Sequence, residues 1–163
     1  MVGKKLLLAT ALCTAVVGVN AAEWAKLHFA MNGDNKQILT TFVERTSINC
    51  KGDTCRAWVA TFFYPSFSEG MNVLRERYEY DCAEWKSRTL AMRTYKDSEF
   101  RDGLDIVSKW TYIDPGSLRD KEARYACGKD VEQPLVVTPA LDSAYLRLVE
   151  HNLRRLYGDP STW

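Results

Sequence analysis

Between residues 23 and 112 apolar side chains recur mainly at every second position, the repeat of a strand with one buried face. Residues 73–80 show it cleanly. Leu74, Tyr78 and Tyr80 share one parity, Arg75, Arg77 and Glu79 take the other, and Cys82 continues the apolar series. Similar alternation predicts strands over 24–31, with Leu27 and Phe29 on one side, over 37–43, and over 88–95, with Leu90 and Met92 together. It predicts another over 104–112, where Leu104, Ile106, Trp110 and Tyr112 oppose Asp105 and Lys109. The segment 56–64, RAWVATFFY, differs because both parities are mostly apolar. Such a strand lies inside a sheet and needs a cover on each side, so a helix is expected on at least one face. The connections at 32–35, 65–72 and 96–103 are short and rich in turn-forming residues, which makes the strands an antiparallel meander.

The period changes after Asp114-Pro115-Gly116. Ser117 is a good N-cap, and 118–126 predicts a short helix ending near Cys127-Gly128. A linker follows over 129–138. Pro139 then opens a second helix that stops at Gly158. Leu141, Tyr145, Leu148, Val149, Leu153 and Leu156 fall three and four apart, forming one apolar stripe, with Arg147, Glu150, Arg154 and Arg155 opposite. The stripe predicts a helix packed on the sheet; the competing reading is a helix that binds a partner. The fold class is therefore α+β: about six antiparallel strands in a meander, a short helix, and a long C-terminal amphipathic helix packed on the sheet, stapled by disulfides.

The first residues change the chemical setting. Lys4-Lys5, the uncharged run 6–19 and the small-residue exit Asn20-Ala21-Ala22 have the layout of a secretory signal peptide cleaved after Ala21 or Ala22. The run is shorter than the roughly 20 residues of a membrane span. Leu12 precedes Cys13 where a lipoprotein signal would carry a small residue, so Cys13 belongs to the discarded peptide. The expected organisation is a signal peptide at 1–22, one domain at 23–128, and a linker and helix at 129–163 packed on that domain. Without residues 1–22 the chain keeps 20 basic residues against 21 acidic ones, a charge of about −1. No charge excess points to nucleic acid.

Four cysteines remain, an even number in an exported chain, and they read as disulfides. Cys50 and Cys55 flank Lys51-Gly52-Asp53, a turn that brings them face to face across a hairpin. Cys82 and Cys127 form the other expected pair, although four cysteines allow three pairings and sequence alone does not choose. Loop entropy assigns about 4 kcal/mol to that bridge and about 2 kcal/mol to the hairpin bridge. A zinc site would need four convergent ligands, and a thioredoxin-like redox pair has two intervening residues rather than four.

Catalytic chemistry finds little support. His28 and His151 lie far apart, and the chain has no nucleophile elbow, phosphate loop or zinc-binding helix motif. No catalytic residue, metal ligand or cofactor is assigned. The one local charge feature is the stretch 75–101. There Arg75, Arg77, Lys86, Arg88, Arg93 and Lys96 mix with Trp85 and several tyrosines. Those seven side chains are the candidate partner-binding residues, since arginine and aromatic side chains are enriched in interfaces. The competing reading is a solvated sheet face balanced by neighbouring acids.

Trp58, Asp81-Cys82, Tyr95, Gly103, Trp110, Asp114-Pro115-Gly116-Ser117 and Cys127, in this order and spacing, resemble the surface-adhesin protein E family of Gram-negative bacteria over residues 24–128. The resemblance implies an antiparallel sheet with helical C-terminal material and a Cys82–Cys127 bridge. It also implies a surface adhesin that binds host proteins such as vitronectin and laminin. The Cys50/Cys55 pair stands outside the common pattern. The reading is thus an exported, non-enzymatic binding protein of the periplasm or outer-membrane surface. The alternatives are a periplasmic protein-binding or inhibitor-type module, such as a lysozyme inhibitor, and a small hydrolase.

Overall fold

The computed structural model describes residues 22–32, 37–129, 137–138, 149 and 151–156. Its strands are β1 Trp24–Asn32, β2 Gln37–Glu44, β3 Asn49–Lys51, β4 Thr54–Tyr64, β5 Val73–Asp81, β6 Lys86–Lys96, β7 Glu99–Asp105, β8 Thr111–Tyr112 and β9 Val137–Thr138. The helix α1 spans Leu118–Ala126, and helical residues 151–156 are called α2. All pairings are antiparallel, in the order β7-β6-β5-β4-β2-β1-β9, with β3 against β4 and β8 against β6. Six long strands make the meander, the sixth of them, β7, lying mostly within the 96–103 segment expected as a connection. The three short ones add edges to it.

The two-sided strand is β4, and each of its faces has its own core. Ala60, Phe62 and Tyr64 pack with Trp24, Ile38, Phe42, Val73 and Leu153 of α2, with Val149 beside them. Ala57 and Val59 pack with Val43, Tyr78, Tyr80, Ile113, and Ala123 and Ala126 of α1. The sheet therefore has helical residues on both faces, as an apolar strand of this kind requires. Leu156, counted in the α2 stripe, is 69% exposed and contributes nothing to this packing. Pro139, Leu141, Tyr145, Leu148 and the signal segment lie outside the described residues.

α1 forms where its caps are. Ser117 Oγ accepts from Asp120 N at 3.1 Å. The buried Asp120 carboxylate in turn accepts from Gly116 N at 3.1 Å, Trp85 Nε1 at 2.9 Å and Arg124 Nε at 3.0 Å. These bonds lock the α1 start to the β5–β6 turn.

Two local features depart from a simple meander. The arm before the Cys50/Cys55 turn is a strand of its own, β3, and not a continuation of β2. A short helical turn at Arg45–Ser47 steps the chain along the β4 edge. Ser47 Oγ fixes that step by donating to Glu44 O at 2.7 Å and accepting from Trp58 N at 2.8 Å. Nor is 104–112 one strand with an inward apolar face. β7 ends at Asp105, and β8 has only two residues. The β5–β6 register slips so that Leu90 is an extra residue between Thr89 and Ala91. Between β7 and β8 the chain follows β6 through Ile106 N to Leu90 O at 3.2 Å, Ser108 N to Thr89 O at 3.0 Å and Thr89 N to Ser108 Oγ at 2.9 Å. A bulge of this sort breaks the ladder and turns the edge outward.

Candidate partner-binding surface

The cysteines bond as Cys50–Cys55 and Cys82–Cys127. Residues that are distant in sequence meet here: the sulfurs of Cys55, Cys82 and Cys127 lie within 4.8 Å of one another, so the two bridges are packed together at the end of α1. Cys50 Sγ also lies 3.7 Å from Ala126 O. His28 Nδ1 sits 2.9 Å from Lys121 Nζ, linking β1 to α1. Burial first, and the Lys121 ammonium second, lower the His28 pKa. Nδ1 is thus the acceptor for that ammonium. His151 is exposed on α2.

Registers place five of the candidate cations on one sheet face. Arg75 is opposite Arg93, and Arg77 is opposite Ala91. Glu79 is opposite Arg88, and Asp81 is opposite Lys86. Glu79 is 3% exposed and is clamped by Arg56, Nε to Oε1 at 2.7 Å, and by Arg88. Burial works to raise its pKa, but the two guanidinium hydrogen bonds and charges outweigh it, and the net shift is downward. Arg77 is exposed and forms no ion pair among the described residues. Lys96 is exposed at the end of β6. Trp85 lies apart. It has φ of 54° in the β5–β6 turn, its Nε1 is spent on Asp120, and its ring carries Lys129 Nζ at 4.6 Å. It packs with the α1-side core.

A further set of residues was missed by the alternation pattern, which assigned several of them to a buried face. Six of the seven exposed large apolar side chains among the described residues fall within 13 consecutive positions: Phe100, Leu104, Ile106, Val107, Trp110 and Tyr112. They line the outer edge beside β6, called the ridge below: Phe100 pairs with Tyr95, and Tyr112 with Lys86, on the arginine face, whereas Leu104 pairs with Met92 on the opposite face. Two of them are held by the candidate cations. Lys86 Nζ lies 4.6 Å from the Tyr112 ring centre, and the Arg88 guanidinium lies 4.5 Å from that of Trp110. Since Lys86 pairs with Tyr112 in the ladder, Arg88 and Trp110 continue the same register. Each ring rests on a cation that limits its motion. The signal that could have found the ridge is Val107, an apolar residue of the wrong parity in a segment that also carries Ser108 and Lys109.

Exposed apolar side chains beside cations are the composition that interfaces favour. The class so defined is a small disulfide-stapled sheet protein with an exposed apolar edge. The family model of surface-adhesin protein E matches residues 24–128, well over half of the chain, and the chain belongs to that family. It is an adhesin-like protein. No curated protein and no solved structure matches it. Among the described residues no helix is long and apolar enough to cross a membrane.

Proposed function

We propose that this is an exported, non-enzymatic binding protein that engages a host protein, of the kind represented by vitronectin and laminin, through the Phe100–Tyr112 ridge. The observation that supports this reading is the concentration of exposed apolar side chains in one edge segment, with Trp110 and Tyr112 seated on Arg88 and Lys86. Rigid aromatic anchors beside cations are the side chains that carry most interface energy. Trp85 serves α1 on this reading and leaves the surface to Lys86, Arg77 and the ridge.

The test uses Val107→Ser/Tyr112→Ala, because both side chains are exposed and contribute little to folding. Immobilised vitronectin and laminin should bind the variant at least about tenfold more weakly, a loss of about 1.4 kcal/mol, with an unchanged melting temperature. Wild-type affinity in the folded variant removes the ridge from the reading. Arg88→Ala is a poor probe, since it strips one clamp from the buried Glu79. Impermeant protease on intact cells supplies the second arm. Cleavage before a periplasmic control supports surface display. Protection until the outer membrane is breached directs the search to periplasmic partners, the inhibitor-type alternative.

A further inference from the structure

On the same sheet face, adjoining the Phe100 end of the ridge through Tyr95, lies a cavity of about 200 Å3 lined by Trp24, Glu44, Trp58, Arg75, Arg93 and Tyr95. We propose that it binds a small zwitterion with a flat apolar body, of which an aromatic α-amino acid is the simplest example. The cavity exists because one cross-strand row, Ala60–Arg75–Arg93–Gly103, has a small residue at either end of two arginines. At Gly103 an added Cβ would come 2.4 Å from Arg93 Cδ, so glycine is what lets Arg93 lie along the sheet.

Two like charges opposite each other on neighbouring strands weaken a sheet. Their retention needs compensation. Arg93 has it within the protein: Nη1 donates to Met92 O at 2.7 Å and Nη2 pairs with Asp105. Arg75 does not. Its guanidinium lies 4.6 Å from the Tyr95 ring centre and 5.1 Å from that of Trp24. Its Nε is buried and has no hydrogen-bond partner among the described residues. A buried donor without an acceptor is destabilising, the more so when charged. Nε itself is closed to solvent, so a carboxylate entering the cavity would meet the guanidinium as a charge and not fill that bond.

Glu44 supplies the opposite pole. Glu44 is half-buried, and its one side-chain hydrogen bond among the described residues is from Thr46 Oγ1 at a long 3.5 Å. Burial raises its pKa, with the Arg75 charge acting against that rise. Yet Arg75 and Glu44, which line the same space, do not close an ion pair. A cation and an anion held apart across a cavity suit a ligand that carries both charges: its carboxylate to Arg75, its ammonium to Glu44. The walls are Trp24, Trp58 and Tyr95, which suit a planar apolar body. The volume lies below the roughly 300–1,000 Å3 typical of larger ligands, so the occupant is of amino-acid size.

The experiment is calorimetric titration of the purified protein with three compounds: L-tryptophan, tryptamine, which lacks the carboxylate, and indole-3-propionate, which lacks the ammonium. L-tryptophan should bind saturably, and each truncated compound should bind at least about tenfold more weakly, the scale of one lost charged hydrogen bond. Arg75→Gln should weaken L-tryptophan by at least about tenfold and leave tryptamine unchanged. Glu44→Gln should weaken L-tryptophan and spare indole-3-propionate. Absence of saturable binding by any compound at millimolar concentration overturns the proposal. So does equal affinity for all three, which needs only the wild-type protein and stands even if a variant fails to fold. Binding of vitronectin or laminin is read separately, so this result and that of the ridge variant are independent.

Discussion

Glu79 and Glu122 are both buried carboxylates with arginine partners, and their surroundings push them in opposite directions. Two guanidinium groups reach Glu79 from the open sheet face and hold its pKa low. Its contribution to stability is present above the unfolded value near 4.5 and lost as the pH falls through the folded one. Glu122 lies on the buried face of α1, 2% exposed, with Tyr80 Oη at 3.4 Å and Arg119 as its ion-pair partner. Burial raises its pKa from 4.5 to about 7, although the Arg119 charge opposes this. The folded state therefore binds more protons than the unfolded chain between those values, and stability falls as the pH rises through that window. The expected loss between pH 5 and pH 8 is about 2 kcal/mol. Urea denaturation of Glu122→Gln at the two pH values should show a flatter dependence than wild type. An identical slope would exclude Glu122 as its source. The even spacing of acids and bases in the sequence says nothing of this contrast, because burial on one face or the other is set by the register.

The two disulfides act on different elements. Cys50–Cys55 closes a hairpin whose arms are already paired in β3 and β4. Cys82–Cys127 ties the end of β5 to the end of α1 across a separation of 45 residues. Loop-closure entropy then predicts that Cys82→Ala/Cys127→Ala costs about 4 kcal/mol and Cys50→Ala/Cys55→Ala about 2 kcal/mol. Thermal melts of both double variants should rank them in that order. The reverse order would mean that α1 is held chiefly by Asp120 and its partners. α1 was legible to the residue, since its cap, Ser117, and its end at Cys127-Gly128 are local features. The segment after β7 was not legible, because its geometry depends on where Leu90 is squeezed out of the β5–β6 ladder.

For the whole molecule the decisive feature is that β4 is covered on both faces. Leu153, 6% exposed, belongs to the core of Trp24, Phe42 and Phe62, whereas Leu156 is open to solvent. Leu153→Ala should therefore cost about 2–4 kcal/mol and Leu156→Ala less than about 0.5 kcal/mol. Equal and small effects on the denaturation midpoint would mean that α2 does not cover the sheet. The sequence alone determined the antiparallel meander, the helical cover and α1, because apolar period, turn residues and caps act over a few residues. It also carried the family marks from Trp58 to Cys127. Only the tertiary structure decided which apolar residues stay exposed, which cations meet Trp110 and Tyr112, and that Arg75, Arg93 and Glu44 share a cavity. Those outcomes depend on strand order and register, which join residues 18 to 49 positions apart, and a one-residue slip changes every neighbour.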